Sequence, residues 1–146
     1  MTTSDSSAQL LLENQLCFPL YSAANAVTRA YRPLLKALDL TYPQYLVMML
    51  LWQHQQLNVT ELGHRLYLDS GTLTPLLKRL EAKGLISRRR CQQDERVRLI
   101  DLTAAGAELK TAAAQVPELM RCKVTLQAQE LQRMKMLCQQ LLADLN

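Results

Sequence analysis

Residues 58–102 read NVTELGHRLYLDSGTLTPLLKRLEAKGLISRRRCQQDERVRLIDL. Asn58 stands where a helix N-cap belongs, and Glu61, three residues on, is placed to complete a capping box. A short helix therefore opens after Asn58 and ends near Leu66, and residues 67–71 make a turn. Leu73, Leu76, Leu77 and Leu80 then share one face of a second helix running from about Gly71 to Lys83. Gly84 falls at the position after a helix end that favours glycine. Pro75 lies close enough to the helix start to remove at most one backbone bond. After Gly84 the period changes. Residues 85–90 and 96–102 carry β-branched side chains and partial alternation, and the polar run Cys91 to Glu95 separates them, as in a hairpin. Helix, turn, helix and hairpin in this order make a winged helix-turn-helix, so the fold class is mainly α with a small β-hairpin wing.

The rest of the chain is helical in pattern. Residues 1–10 read as a short flexible arm. Leu16, Leu20, Ala23, Val27, Tyr31, Leu34, Leu35 and Leu38 form a helical stripe, with Pro19 in the first turn and Pro33 as a late kink or break. Thr41 or Tyr42 caps the next helix, Pro43 opens its first turn, and residues 45–52 continue it. Thr103 caps a long helix to about Cys122, and a last helix spans residues 126–145. In it Leu131, Met134, Cys138, Leu141 and Leu145 step by three and four, a seam suited to a partner helix. Residues 11–42 and 103–146 are thus expected to join two copies into a homodimer, and residues 43–102 to form the reader.

Composition narrows the function classes. The chain has 146 residues, 49% hydrophobic, with four glycines and five prolines, enough to bury a core without metal or disulfide staples. No apolar run approaches the ~20 residues that span a bilayer. Residues 1–9 are polar and lack the order of a secretory leader, so a cytoplasmic protein without membrane contact is expected. The cysteines at 17, 91, 122 and 138 form no CxxC pair, and in the cytosol they rest as thiols. His54 and His64, with Glu61 beside the second, are too scattered for a convincing metal site. A Gly-rich phosphate loop and a Ser-His-Asp set are both missing, so no cofactor and no enzyme activity are expected.

Charge is concentrated where the fold would meet DNA. The net charge is +4, and the stretch from Lys83 to Arg98 holds six basic residues against two acids. Such a cluster suits a polyanion. The second helix of a helix-turn-helix enters the major groove by its N-terminal end. Here that end carries Ser70, Gly71, Thr72 and Thr74, with Lys78 and Arg79 one to two turns on. Arg88 lies on the basic first strand of the hairpin. Arg96 at its tip suits the narrow minor groove, with Asp94 placed to fix its rotamer. Two copies would read a pseudo-palindromic double-stranded operator.

These residues carry a resemblance. Val59-Thr60-Glu61-Leu62-Gly63, the run from Leu73 to Ile86, Asp94-Glu95-Arg96 and residues 102–106 resemble the MarR family of dimeric bacterial transcription regulators, over about residues 11–143. Leu12 to Tyr21, Tyr31 to Leu35, Leu40 to Tyr45 and Tyr67 to Leu77 resemble, more narrowly, its organic-hydroperoxide-resistance subgroup. The resemblance implies that Cys17 senses organic hydroperoxides. It also implies that Tyr31 and Tyr42 of the other subunit hydrogen-bond the sulfur, and that oxidation releases a repressor from DNA. In the two-cysteine branch a C-terminal cysteine, here Cys122, closes an intersubunit disulfide. Closing it is expected to move helices locally and reorient the two reading helices. The one-cysteine branch uses an external thiol instead.

Elementary chemistry supports part of that mechanism. Cys17 lies near a helix start, where unpaired N–H groups favour the thiolate that attacks a peroxide oxygen. Leu16, Phe18, Leu20, Tyr21 and the other tyrosines would line a greasy pocket that prefers organic peroxides. Tyr31 is fourteen residues from Cys17 on the same stripe, or ~21 Å along one helix, so any contact between them must cross a dimer interface. Taken without the resemblance, Cys17 reads as a small core residue. Cys122 has Arg121 and Lys123 on either side, a setting that suits a resolving thiol. Cys138 is expected in the core and Cys91 exposed. The alternative function is a repressor answering a small aromatic or lipophilic ligand, with Cys17 passive. A thiol peroxidase is disfavoured, because no activating Arg/Thr pattern surrounds Cys17.

Overall fold

A computed structural model describes residues 5–146. The chain forms two compact units, Met1–Val116 and Pro117–Asn146. The stretch read as an arm includes one helical turn, α1 (Asp5–Ala8), and its first four residues lie outside the described ones. A 3-10 turn at Leu12–Asn14 leads to α2 (Cys17–Leu35), one uninterrupted helix that carries Pro33 inside its last turn. A second 3-10 turn, Lys36–Leu38, ends at Asp39, whose φ of 53° is left-handed. Then come α3 (Tyr42–His54), β1 (Gln56–Asn58), α4 (Val59–Leu66) and α5 (Ser70–Ala82). The hairpin is β2 (Ile86–Arg90) and β3 (Arg98–Leu102), followed by α6 (Ala104–Ala113).

Caps fix the helix starts. Thr41 Oγ1 accepts from the Gln44 backbone N–H at 3.3 Å, while Gln44 Oε1 accepts from the Thr41 N–H at 3.0 Å. This reciprocal box settles Thr41, rather than Tyr42, as the cap. At α4 only half the expected box forms. Asn58 Oδ1 accepts from the Glu61 N–H at 2.7 Å, but the Glu61 carboxylate turns to Arg65, one turn on, at 2.8 Å. A charged partner at i+4 outcompetes a neutral backbone N–H for that carboxylate. Asp69 caps α5, which begins one residue earlier than its leucine spacing suggests. Its end is a Schellman motif: Gly84, at φ 77°, donates to Glu81 O at 2.9 Å and Leu85 donates to Leu80 O at 3.2 Å.

The sheet has one strand more than a hairpin, in the order β1-β3-β2 and antiparallel throughout. Leu57 pairs with Ile100, and Arg88 pairs with Ile100 from the other side. The core gathers around α3, where Val47, Met48 and Leu51 are fully buried. Leu35 and Leu38 reach it from the α2 side, Leu73, Leu77 and Leu80 from α5, and Ile86 and Ile100 from the sheet. Being apolar nearly all round, α3 is the central helix.

The long helix expected from Thr103 to Cys122 is broken. Thr103 Oγ1 does cap α6, accepting from the Gly106 N–H at 3.1 Å. The helix stops at Ala113 and α7 (Val116–Arg121) starts after a turn. Pro117 explains the break, since its ring opposes the carbonyl four residues back, that of Ala113. In the second unit α8 (Ala128–Leu145) begins after Gln127, and none of its residues is buried within the chain. Its seam residues Leu131, Cys138 and Leu141 are half-buried, and Met134 and Leu145 are exposed.

Candidate functional site

Cys17 is the first residue of α2. No side chain caps that helix and no acid lies in its first turn, so Cys17 stands at a helix start whose positive end no carboxylate offsets. The side chain is exposed, which removes the reading of Cys17 as a core residue. Tyr31 lies on the same unbroken helix, so ~21 Å of rigid rod separates it from the sulfur of its own chain. Leu16, Phe18 and Tyr21 are also open to solvent, Tyr21 at 68%.

The tyrosines assemble without them. Tyr31 from α2 meets Tyr42, the first residue of α3, with ring centroids 4.7 Å apart. Tyr45 lies 5.9 Å from Tyr31 and 6.4 Å from Tyr42. Trp52 stands edge-on to Tyr45 at 6.3 Å and donates its indole N–H to Gly106 O at 2.8 Å. Tyr45 is nine-tenths buried and was not among the expected pocket residues; its spacing of three from Tyr42 on a helix was the available signal. Burial raises the pKa of all three phenols, and the neighbouring rings raise it further for Tyr31 and Tyr45. Each phenol therefore keeps its proton and can donate it to an anionic acceptor such as a thiolate. Beside them a cleft of about 610 Å³ is lined by Thr28, Arg32, Pro33, Lys36, Leu40 and Tyr42, among others.

At the reading end, Ser70, Gly71, Thr72, Thr74, Lys78 and Arg79 are all exposed, and the leucines on the opposite face of α5 are buried. Asp69 Oδ1 accepts from the Thr72 N–H at 2.7 Å, and the bonds from Thr72 hold its carboxyl below the usual range. A Cβ at Gly71 would meet nothing nearer than Asp69 Oδ1 at 3.4 Å, so the helix tip is open for close approach. Arg96 at the wing tip is 93% exposed and hydrogen-bonds Asp94 at 3.4 Å. Arg88 is held differently. Its guanidinium donates to Glu81 Oε1 at 3.0 and 3.1 Å and its backbone N–H to Oε2 at 3.0 Å, so it brackets β2 to α5. The same bonds hold the Glu81 carboxyl below its ordinary value.

Comparison with known proteins fits this layout. Residues 29–113 match the family described as transcriptional regulator SarA/Rot. Over 106 residues the chain is 57% identical to the organic hydroperoxide resistance transcriptional regulator of Bacillus subtilis (strain 168), covering 73% of this chain and 72% of that protein. The chain belongs to the MarR family of transcriptional regulators. Its winged-helix fold is that of MarR-family neighbours solved on DNA. Reduced AbfR bound to DNA superposes with a TM-score of 0.80 at 34% identity, over 96% of this chain and 98% of that one. Over-oxidised AbfR bound to DNA gives 0.79 at 35% identity, over 97% and 99%. AbfR is a protein of Staphylococcus epidermidis. A cysteine-to-serine mutant of MarR from E. coli complexed with operator DNA gives 0.79 at 27% identity, over 87% and 93%.

The other cysteines of this MarR-family chain are also free thiols. Cys122 follows the last residue of α7 and is exposed, with its sulfur 3.9 Å from Glu118 Oε1. Its side-chain hydrogen-bond partner is thus an acid one turn back, which the flanking Arg121 and Lys123 did not suggest; Arg121 donates to Val124 O instead. Cys91 and Cys138 are both half-buried, where the first was expected exposed and the second in the core. The Cys91 backbone N–H donates to Val97 O at 2.9 Å across the wing tip. Among the described residues no three His, Cys, Asp or Glu side chains gather at metal-binding spacing, and His54 is engaged by Arg65 at 3.2 Å. No helix among them is long and apolar enough to cross a membrane.

Proposed function

We propose that this MarR-family regulator is a cytoplasmic, homodimeric repressor released from operator DNA when an organic hydroperoxide oxidises Cys17. Residues 11–42 and 103–146 join two copies, and residues 43–102 read a pseudo-palindromic duplex. Ser70, Thr72, Thr74, Lys78 and Arg79 face the major groove. Arg96, oriented by Asp94, enters the minor groove, and Arg88 supports the wing beside the backbone.

The observation that carries the reading is the pairing of two incomplete halves. An exposed sulfur sits at an uncapped helix start, and the protonated Tyr31, ~21 Å along the same helix, gathers with Tyr42 and Tyr45 of α3 out of its reach. The partner's Tyr31 and Tyr42 complete the pocket, with Phe18 and Tyr21 covering it. The Cys17 thiolate attacks the terminal peroxide oxygen, the O–O bond breaks, and the alcohol leaves after taking a proton. The sulfenic acid that remains is attacked by Cys122 of the partner subunit; a disulfide forms and water leaves. Over-oxidised AbfR still sits on DNA, so release is assigned to the disulfide rather than to oxygen on sulfur alone. The alternative is a small aromatic or lipophilic effector in the cleft beside Tyr42, favoured by its apolar Pro33 and Leu40 and its cationic Arg32 and Lys36.

Non-reducing gel electrophoresis after cumene hydroperoxide tests the chemistry. Wild type should run as a linked dimer and Cys122→Ser as a monomer. A wild type that stays monomeric refutes the intersubunit bond. A Cys17→Ser variant that still leaves DNA on peroxide treatment refutes the sensor and favours the ligand reading.

A further inference from the structure

Among the described residues, the end of the reading helix and the junction that leads into Tyr42 are joined by a single ammonium. Lys83 closes α5: its backbone N–H bonds Arg79 O at 3.1 Å, so the residue moves with that helix. Its Nζ leaves α5 and donates to the backbone carbonyl of Asp39 and, at 3.2 Å, to Gln44 Oε1; the Asp39 carboxylate lies 3.6 Å away. Both acceptors belong to the junction that sets Tyr42. Asp39 is the left-handed residue between the end of α2 and the start of α3. Gln44 is 2% exposed, the one buried polar residue among those described, and its Oε1 already receives the Thr41 N–H of the capping box. One oxygen thus holds the start of α3 and the end of α5 together. Tyr42 is the next residue after Thr41 and stacks on Tyr31.

We propose that Lys83 is a positioning residue that couples the tyrosine cluster to the DNA-reading helix, through its hold on Asp39 and Gln44. The proposal deepens the release mechanism above and rests on it for the direction of the signal. A displacement of Tyr42 shifts the first turn of α3, and with it the two oxygens that seat the ammonium. Because Lys83 is rigid with α5, the shift becomes a tilt of the helix. The lever is long: from Lys83 to Ser70 the helix spans about 20 Å, so a tilt of about 6° moves the tip by about 2 Å. Without the ammonium the same shift is absorbed in the loop at Asp39. Coupling of this kind is reciprocal, so DNA held at Ser70–Thr74 must in turn steady residues 39–45.

That reciprocity gives a test needing no oxidant. The probe is a labelled duplex enriched by the reduced protein from a randomised library. Amide hydrogen exchange is compared with and without it in wild type, Lys83→Met and Lys83→Arg. In wild type the duplex should slow exchange at residues 39–45 as well as at 70–76. In Lys83→Met the slowing at 39–45 should vanish and that at 70–76 persist, and Lys83→Arg should restore both. Equal slowing at 39–45 in wild type and Lys83→Met, or none in wild type, overturns the proposal. The second arm measures duplex Kd before and after cumene hydroperoxide, with Cys17 oxidation followed by mass spectrometry. The oxidised-to-reduced Kd ratio should fall at least tenfold in Lys83→Met at equal Cys17 oxidation, and an unchanged ratio overturns the proposal. A wild type whose Kd ignores oxidation overturns the release mechanism instead, and the exchange arm still decides Lys83.

Discussion

Replacing Gly106 by alanine should loosen the joint between the wing and the central helix. Gly106 sits in the first turn of α6, where Thr103 caps it, and a Cβ there would lie 2.2 Å from Leu85 O and 2.8 Å from a Leu102 methyl. The carbonyl is backbone, so the helix itself must move. Overpacking of this kind costs about 1–3 kcal/mol, and contact with a backbone atom places it near the upper end. Moving α6 also strains two bonds, from Trp52 to Gly106 O at 2.8 Å and from the Thr103 N–H to Leu85 O at 3.2 Å, each worth about 1 kcal/mol. Alanine returns about 1 kcal/mol as the better helix former. Packing wins, and the net loss is about 2–4 kcal/mol. With a urea m-value of about 2 kcal/mol/M, the midpoint should fall by about 1–2 M. Urea unfolding followed by emission of Trp52, the single tryptophan, reads this directly at a fixed protein concentration. A midpoint that is unchanged or raised would refute the clash and the role given to Gly106 in seating α6.

Gly71→Ala should behave oppositely, because a Cβ there makes only an ordinary contact, with Asp69 Oδ1 at 3.4 Å: stability rises by up to about 1 kcal/mol while operator affinity falls several-fold, and unchanged affinity in an anisotropy titration would show that DNA does not approach the α5 tip closely. Arg96→Ala should weaken duplex binding and reduce the salt slope by about one, whereas a slope equal to wild type would place the exposed wing tip off the DNA. Asp69 is held below the usual carboxylate range, so its cap stabilises the fold above the ordinary Asp pKa and that contribution fades as pH falls through the lowered value. Asp69→Asn should flatten the acid limb of the urea midpoint plotted against pH. For the tyrosine cluster the sign reverses. The phenols are raised above 10.0, so their contribution is complete below that pH and is lost as pH climbs through the raised values; Tyr42→Phe should remove one late-ionising phenolate from the ultraviolet titration.

The sequence was most legible where its signals are local. The leucine spacing of α5, Gly84 after it, and Thr103 before α6 each declare themselves within a few residues, and all three stand as read. Strand β1 did not, because three residues between a helix and a cap carry no alternation to count. The helix break at residues 114–115 was hidden by an alanine-rich run whose continuity masked Pro117. Glu61 and Arg88 show a different limit. Residue type offered Glu61 to a cap and Arg88 to DNA, and only the fold shows that Arg65 and Glu81 hold them. The start of α2 at Cys17 was visible from spacing, but the tyrosine cluster was visible only in part. Tyr45 belongs to it because α2 and α3 cross there, and a crossing is a long-range fact.

The unbroken run of α2 sets a rule for the cell that carries this protein. A newly made polypeptide cannot bring its own sulfur to its own tyrosines, so under the proposed mechanism alarm competence arrives only when two siblings meet. On that mechanism dosage matters alongside oxidant: a cell short of the protein would be deaf as well as under-repressed. Two crippled siblings, one lacking the sulfur and the other the phenols, would still assemble one good ear between them.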